Sequence, residues 1–271
     1  MDDRDGGGYS CALTFTVPSE AMMQPHMLPR VGPVCLAGAL LALVGCGHGS
    51  PTPPSPAPVA STPVNVLTAA EQAAGWRLLF DGTTTAGWRG YRMDSMPTGW
   101  QVVEGRLTRV ASAGDIMTRD KYRNFELSLE WNIAPGGNSG VFYRASEDDD
   151  AIYWSAPEMQ VLDDSGHADG RSRLTAAGSD YGLYASPAGV VKRAGEWNQF
   201  RIVVQGNHVE HWMNGVQVVE YELGSPDWEA LVKASKFAPH VHYGRNAEGY
   251  IGLQDHGDRV AFRNIKIRVL P

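Results

Sequence analysis

Cysteine is nearly absent from this chain of 271 residues. The three cysteines are Cys11, Cys35 and Cys46, and none follows position 46. The long C-terminal part of the chain therefore cannot form a disulfide bond. Its stability has to come from a packed core.

Clustered positive charge is also lacking. Lys and Arg together number 23 against 30 Asp and Glu, which gives a formal net charge of -7, and the basic residues form no cluster. Nucleic acids and anionic membrane surfaces attract proteins through concentrated positive charge. We therefore expect no nucleic-acid partner and no electrostatic binding to membranes.

No apolar run is long enough to cross a membrane, but a shorter one is informative. Residues 31–44 follow Arg30, contain Pro33 and end at Leu43-Val44-Gly45-Cys46. This end resembles the lipobox that bacterial lipoprotein signal peptidase cleaves. We expect residues 1–45 to be an N-terminal extension and lipoprotein signal peptide, with translation starting later than Met1. A strand of a folded domain is the alternative.

Cys46 is then the lipidated first residue of the mature protein, and the acyl chains attach it to the membrane. Residues 46–66 are rich in proline, serine and threonine, a composition that favours extended polyproline II segments and buries no core. We expect this segment to be a tether. The protein would be lipid-anchored in the bacterial cell envelope, facing the periplasm or exposed at the surface.

Residues 67–271 carry mostly strand signals. Phe125 to Trp131 alternates apolar and polar residues, and β-rich segments recur at 200–204, 209–213, 216–221 and 260–270. The turn dipeptides Gly206-Asn207 and Asn214-Gly215 join three of these segments into a meander. We predict an all-β fold, a concanavalin-like jelly-roll sandwich of two antiparallel sheets, with a closed barrel as the alternative.

One short helix is expected in this domain. Ser225 is a good cap residue, Pro226 suits the first helical position, and Asp227 and Glu229 place acids in the first turn. The pattern predicts that this helix ends near Lys236.

Four stretches place polar residues and glycine where a plain strand would not. They cover residues 135–144, 157–164 together with His167, 209–215 and 252–257. Strand alternation puts Glu158 and Gln160 on one face, so the two side chains are expected to line a concave surface together.

Together with Gly75 to Gly82 and Phe262 to Arg268, these stretches resemble the 3-keto-disaccharide hydrolase domain family. The resemblance covers about residues 67–271, with the motifs in the right order. It implies a concanavalin-like sandwich that acts on glycosides already oxidised at C3 and cleaves their glycosidic bond.

Such a substrate has its own chemistry. A C3 ketone acidifies the C2 hydrogen, so a base removes it, a donor holds the enolate oxygen, and the C1 substituent leaves by β-elimination. Water addition to the resulting enone gives net hydrolysis, whereas stopping earlier gives a lyase. The sequence leaves both outcomes open.

The candidate residues follow from these needs. We predict catalytic roles for Glu158, Asp163, His167, His211 and His256, because carboxylates and imidazoles serve as acids or bases. Arg144 and Gln160 are candidate binding or oxyanion partners, and the other candidate substrate-binding residues are Asn138, Trp154, Gln254 and Asp255. Each also has a structural interpretation, such as a hydrogen-bonded strand carboxylate, a solvated loop histidine or a core histidine.

The sequence requires no cofactor and leaves a divalent metal open. The acidic loop 147–150 offers oxygen ligands for calcium, although a solvated loop is the favoured interpretation. His240 and His242 alternate, as metal ligands on one strand face would, but no third ligand is evident.

Two functions without turnover compete with the enzyme. One is a carbohydrate-binding envelope lipoprotein, and the other is a structural module of the envelope. The density of ionisable residues in the four stretches favours the enzyme, because a lectin mainly needs amides and aromatic rings.

We expect Cys46→Ser to leave an unprocessed or mislocalised precursor, because the lipoprotein signal peptidase needs the lipid-modified thiol. Fatty-acid labelling and membrane fractionation check this, with Cys35→Ser as the matched control. Normal labelling of Cys46→Ser would contradict the anchor.

Overall fold

The computed structural model describes residues 63–271, so the signal peptide, Cys46 and most of the tether lie outside the described residues. Two α-helices occur in this range, α1 (Ala69–Ala73) and α2 (Pro226–Ala234), with short 3-10 turns at Ile152–Trp154 and Ala168–Arg171. None of the helices in residues 63–271 is long and apolar enough to cross a membrane. The same range contains thirteen strands: β1 (Arg77–Leu78), β2 (Trp88–Gly90), β3 (Trp100–Val103), β4 (Arg106–Arg109), β5 (Ile116–Thr118), β6 (Phe125–Ile133), β7 (Asn138–Ala145), β8 (Glu158–Leu162), β9 (Asn198–Gln205), β10 (His208–Met213), β11 (Val216–Glu222), β12 (Tyr250–Leu253) and β13 (Val260–Val269).

The strands form two antiparallel sheets. The eight-stranded sheet has the order β11-β10-β9-β6-β13-β4-β3, with β1 added beside β13, and the five-stranded sheet has the order β2-β5-β12-β7-β8. The predicted jelly-roll sandwich of two antiparallel sheets is confirmed. Because neighbours in space are often distant in sequence, as β6 and β13 are, the sheets tie the whole domain together.

The central strand β6 shows how the core is built. Phe125, Leu127 and Leu129 point between the sheets and are almost fully buried, as the alternation predicts. On the outer face, Glu126 accepts hydrogen bonds from Arg201 on β9 and Arg268 on β13, at 2.5 and 2.7 Å. The polar face predicted from the alternation is thus covered by an ion-pair layer.

The predicted meander and helix are both present. β9, β10 and β11 are neighbours in the sheet, and Asn214 and Gly215 both have positive φ, as a type I′ turn requires. Ser225 caps α2 by accepting a hydrogen bond from the Trp228 N–H at 3.2 Å. The helix ends at Ala234, two residues before the predicted end.

The N-terminal edge of the domain holds two features that the sequence analysis did not anticipate. Thr68 and Glu71 form a capping box on α1, whose Thr-x-x-Glu spacing was a readable signal. Asn65, within the predicted tether 46–66, exchanges two backbone-to-side-chain hydrogen bonds with Asn264, at 2.6 and 2.8 Å. The contacts of the domain therefore include residue 65.

Candidate active site

A cavity opens on the outer face of the five-stranded sheet, away from the main core. In the pairing of β7 with β8, Gly140 lies opposite Gln160. Met159 and Val161 belong to the core between the sheets, so strand alternation sends Glu158 and Gln160 to the other face. The predicted common face of Glu158 and Gln160 exists, and it is a wall of this cavity.

The cavity measures about 360 Å³, within the range of about 300 to 1,000 Å³ of small-molecule sites. Six of its lining residues were candidates from the sequence, and three others were not. The lining residues are Asn138, Tyr153, Trp154, Glu158, Gln160, Tyr181, Lys236, Gln254 and His256.

Glu158 is the buried acid of the cavity. It is only 6% exposed, and its carboxyl group lies against Gly140, where a Cβ would overlap Oε1 and come within 2.7 Å of Cδ. Burial raises the pKa of Glu158 to about 8, although the positive charge of Lys236 acts in the opposite direction. The group therefore exchanges its proton near neutral pH.

Three amide side chains line the same cavity as this acid. Gln160 is completely buried, and neither its Oε1 nor its Nε2 has a hydrogen-bond partner in residues 63–271. The same holds for Asn138 Oδ1 and Gln254 Oε1. Buried polar atoms are normally paired, because leaving one unpaired costs about 1 to 3 kcal/mol. The amides thus offer donors and acceptors to a ligand with several hydroxyl or carbonyl groups.

The mouth of the cavity is aromatic. Tyr153 and Trp154 meet edge to face with ring centroids 4.5 Å apart, and Trp154 stacks on His240 at 3.8 Å with an interplanar angle of 5°. The Lys236 ammonium lies 4.3 Å from the centre of the Tyr181 ring. Aromatic faces at a cavity mouth suit the apolar faces of sugar rings or other flat groups.

Two histidines stand together at the other side of the mouth. His256 is exposed and lines the cavity, and the ring of His167 meets it edge to face at 6.2 Å. His167 Nδ1 accepts a hydrogen bond from the Asp169 N–H at 3.1 Å, so it caps the turn Ala168–Arg171. His167 is adjacent to the cavity without being one of its lining residues.

His211 lies between the sheets and does not line the cavity. It is fully buried, its Nδ1 donates to the Gly178 carbonyl at 3.2 Å, and its Nε2 accepts from the Tyr143 hydroxyl at 2.8 Å. Burial lowers the pKa of His211 to about 3, so the ring stays neutral. The core-histidine interpretation fits His211, because β10 turns alternate side chains into the sandwich.

Arg144 and the two aspartates also lie away from the cavity lining. Arg144 is buried and its guanidinium donates to the Gly206 carbonyl. Asp255 accepts hydrogen bonds from Arg109 Nε and the Ala113 N–H, both at 2.7 Å, and so holds two loops together. Its neighbours Gln254 and His256 point into the cavity, whereas Asp255 points the other way.

Asp163 has a comparable structural role at the end of β8. It accepts hydrogen bonds from the Gly136 N–H at 2.8 Å and the Ser165 hydroxyl at 2.6 Å. Burial alone would raise the pKa of Asp163, but these hydrogen bonds outweigh it and the pKa is lowered. A carboxylate held in this way stabilises the loop and is poorly suited to act as a general acid or base.

Neither of the two metal sites considered from the sequence, the acidic loop 147–150 and the pair His240 and His242, has a suitable set of ligands in the described residues. The prediction of a strand through His240 and His242 is wrong, because residues 241–245 form turns. His242 Nδ1 lies 3.2 Å from Asp149, and Glu147 of the acidic loop pairs with Arg89 at 2.8 Å. No group of three His, Cys, Asp or Glu side chains in residues 63–271 is arranged to hold a metal ion.

The three lining residues missed by the sequence analysis come from segments between strands. Tyr153 belongs to the turn Ile152–Trp154, Tyr181 follows the bridge at Asp180, and Lys236 follows α2. Periodicity says nothing about such positions, because loop direction depends on contacts with distant strands. The single signal was the position of Lys236 at the predicted end of the helix.

The fold and the cavity define a jelly-roll sandwich with an amide-lined site suited to carbohydrate. Residues 75–268 match the family model described as the 3-keto-alpha-glucoside-1,2-lyase-like domain. The chain belongs to this family.

Individual relatives agree. A protein of Bacteroides thetaiotaomicron named 3-keto-disaccharide hydrolase is 38% identical over 230 residues, which cover 73% of this chain and 79% of the relative. Two crystal structures from Parabacteroides distasonis, provisionally assigned as glycosyl hydrolases, are also similar. The first has 32% identity and a TM-score of 0.72, covering 77% of this chain and 100% of that one. The second has 30% identity and a TM-score of 0.58, covering 72% and 99%. These relatives support a glycoside-cleaving function.

Gly140→Ala should displace the Glu158 carboxyl group and reduce turnover by on the order of 10²-fold, the scale of losing a positioned acid or base. The displaced group is the end of a flexible side chain, so we expect the fold to survive. Steady-state kinetics and thermal unfolding check both statements. Gly87→Ala is the control, because its Cβ would meet only the Leu79 carbonyl at 3.4 Å. Wild-type turnover in Gly140→Ala would contradict the assigned geometry.

Proposed function

We propose that this protein cleaves 3-keto-glycosides or 3-keto-disaccharides by removal of the C2 proton and β-elimination of the C1 substituent. One observation carries the proposal. A buried carboxyl group with a pKa of about 8 lies in a cavity beside three amides that lack hydrogen-bond partners in the described chain.

Glu158 is the proposed base. The C3 ketone makes the C2 hydrogen acidic, and proton transfer is most efficient when the pKa of the base lies near the working pH. An ordinary exposed glutamate, with a pKa near 4.3, would be a much weaker base. The burial that raises the pKa of Glu158 therefore serves the reaction.

Gln160 is the proposed donor to the enolate oxygen. Its Nε2 group is buried, lacks a partner within residues 63–271, and lies on the same face as Glu158. Preorganised amide donors stabilise oxyanions in water-excluded sites. Asn138 and Gln254 are left to bind the remaining ring oxygens.

The number of carboxyl groups that line the cavity favours elimination over ordinary glycoside hydrolysis. Most glycosidases need two carboxyl groups flanking the scissile bond. Of the nine described residues that line the cavity, Glu158 is the single carboxylic acid. Elimination needs one base and no oxocarbenium ion, so a cavity with a single carboxyl group is sufficient for it.

Hydrolase and lyase outcomes share this elimination. The family model takes its description from a lyase, whereas the Bacteroides relative is named a hydrolase. The two differ only in whether water adds to the enone before release. A lasting enone absorbance in the product would identify the lyase outcome, and its absence with release of both free sugars would identify the hydrolase.

A carbohydrate-binding protein without turnover would also use the amides and the aromatic mouth. Burying Glu158 at a raised pKa, however, costs stability whenever the group is ionised, and a lectin gains nothing from that cost. The acid therefore favours an enzyme.

We also propose that the enzyme works in the bacterial cell envelope, attached through lipid on Cys46. The support is the lipobox-like end of the apolar run and the proline-rich segment that follows it. The tether would hold the domain away from the membrane, where soluble sugars can reach the cavity.

The enzyme should require the C3 ketone, and deuterium at C2 should slow cleavage wherever removal of the C2 proton limits the rate. The measurement compares a 3-keto-disaccharide, its C2-deuterated form and its unoxidised parent by release of free sugar. Equal cleavage of the 3-keto substrate and the parent would overturn the reaction assignment.

The pH profile should follow Glu158. Because its raised pKa of about 8 keeps it mostly protonated at pH 7, kcat/KM should rise about tenfold per pH unit up to about pH 8 and then level off. Glu158→Gln should lower turnover by on the order of 10² to 10⁴ and remove this limb.

The same substitution should raise the melting temperature relative to wild type at pH 9, where wild-type Glu158 is ionised, more than at pH 6. Glu104→Gln is the control, because Glu104 is exposed at the surface. A flat profile between pH 6 and 9 would contradict the assignment of Glu158 as base.

A further inference from the structure

Lys236 is brought to the cavity mouth by the end of α2. The helix stops at Ala234, the Ser235 hydroxyl accepts a hydrogen bond from the Phe237 N–H at 3.1 Å, and Phe237 is buried in the core. The anchored Phe237 fixes the turn. Lys236 therefore has a defined position, although much of its side chain is exposed.

The environment of the Lys236 ammonium is aromatic rather than ionic. It lies 4.3 Å from the centre of the Tyr181 ring, 5.1 Å from that of Phe237 and 5.9 Å from that of Tyr153. Within residues 63–271 it forms no ion pair within 4.0 Å. Burial of the charged end lowers the pKa of Lys236, while Glu158 and Asp169 act in the opposite direction. A lysine with a lowered pKa gives up its proton more readily.

The cavity has two chemically different ends. Gln160 and Asn138 lie deep, with 0% and 3% exposure, whereas Tyr153, Trp154 and Tyr181 are partly exposed at the mouth. The proposed reaction fixes the oxidised ring near Glu158 and the amides. The group that leaves C1 then extends towards the aromatic mouth.

We propose that Lys236 is the proton donor to the leaving-group oxygen and that the aromatic mouth is the subsite for the leaving group. This inference rests on the proposed elimination. Glu158 takes the C2 proton, the enolate electrons form the C1–C2 double bond, and the C1–O bond breaks. The oxygen takes its proton from the Lys236 ammonium, which becomes a neutral amine and regains a proton from Glu158 or water.

The first test varies the basicity of the leaving group. Lys236→Met should lose on the order of 10²-fold or more in kcat/KM on a 3-keto-disaccharide, whose leaving sugar alkoxide needs a proton. On 4-nitrophenyl 3-keto-glucoside, whose phenolate leaves without a proton, the same variant should lose far less than on the disaccharide, since a donor helps only where a proton is needed. Lys233→Met, an exposed position on α2, is the matched control.

Lys236→Arg separates charge from proton donation. Arginine keeps the positive charge but does not release a proton at working pH. We therefore expect Lys236→Arg to show the same leaving-group-dependent loss as Lys236→Met. Wild-type rates in Lys236→Arg on the disaccharide would overturn proton donation.

A second test follows the C2 hydrogen in D₂O. If C1–O cleavage becomes slow in Lys236→Met while Glu158 still works, the recovered 3-keto-disaccharide should carry deuterium at C2, at a rate above that of cleavage. Glu158→Gln should show no such exchange. Loss of both exchange and cleavage in a folded Lys236→Met protein would contradict the leaving-group role.

The outcomes also separate this inference from the proposed function. Equal losses of Lys236→Met on both substrates would overturn proton donation and leave the elimination standing. A leaving-group-dependent loss in His256→Ala with none in Lys236→Met would reassign the donor to His256. Cleavage of unoxidised glycosides by the wild type would instead defeat the proposed function itself.

Discussion

The candidate site depends on one close approach, the Glu158 carboxyl group lying over Gly140. In the β7–β8 pairing, glycine opposite Gln160 leaves room for a carboxyl group within the surface of the sheet. That room allows the acid to be buried, and burial raises its pKa to about 8. With a side chain at position 140, the acid would be pushed towards solvent and its pKa would return towards that of an ordinary glutamate.

Sheet alternation also separates two kinds of polar chemistry that lie close in sequence. On one side of β7, Tyr143 bonds to His211 and Tyr221 between the sheets, so the hydroxyl and imidazole groups of these three residues have partners within the fold. On the other side, Asn138 and Gln160 keep polar atoms without partners in the described chain. The first arrangement stabilises the sandwich. The second is suited to a ligand, because only an added molecule can restore the missing hydrogen bonds.

The segments between strands complete what the sheet begins. The turn at Ile152–Trp154, the chain around Tyr181 and the turn after α2 each bring one or two side chains to the mouth. They give the cavity an aromatic, cationic opening above an amide floor. A cavity with these two ends can hold one ring deep and release another group outward. The proposed elimination needs this separation of the oxidised ring from the leaving group.

The sequence alone determined the sandwich, the β9–β11 meander, the helix after Ser225 and the shared face of Glu158 and Gln160, because these follow from local periodicity and turn chemistry. It also predicted a lipid anchor, which lies outside the described residues. Only the tertiary structure placed His211 in the core, turned Asp255 away from the cavity and brought Lys236 to its mouth. A histidine or lysine has the same local pattern in either setting, and its role depends on which distant strands and loops exclude water around it.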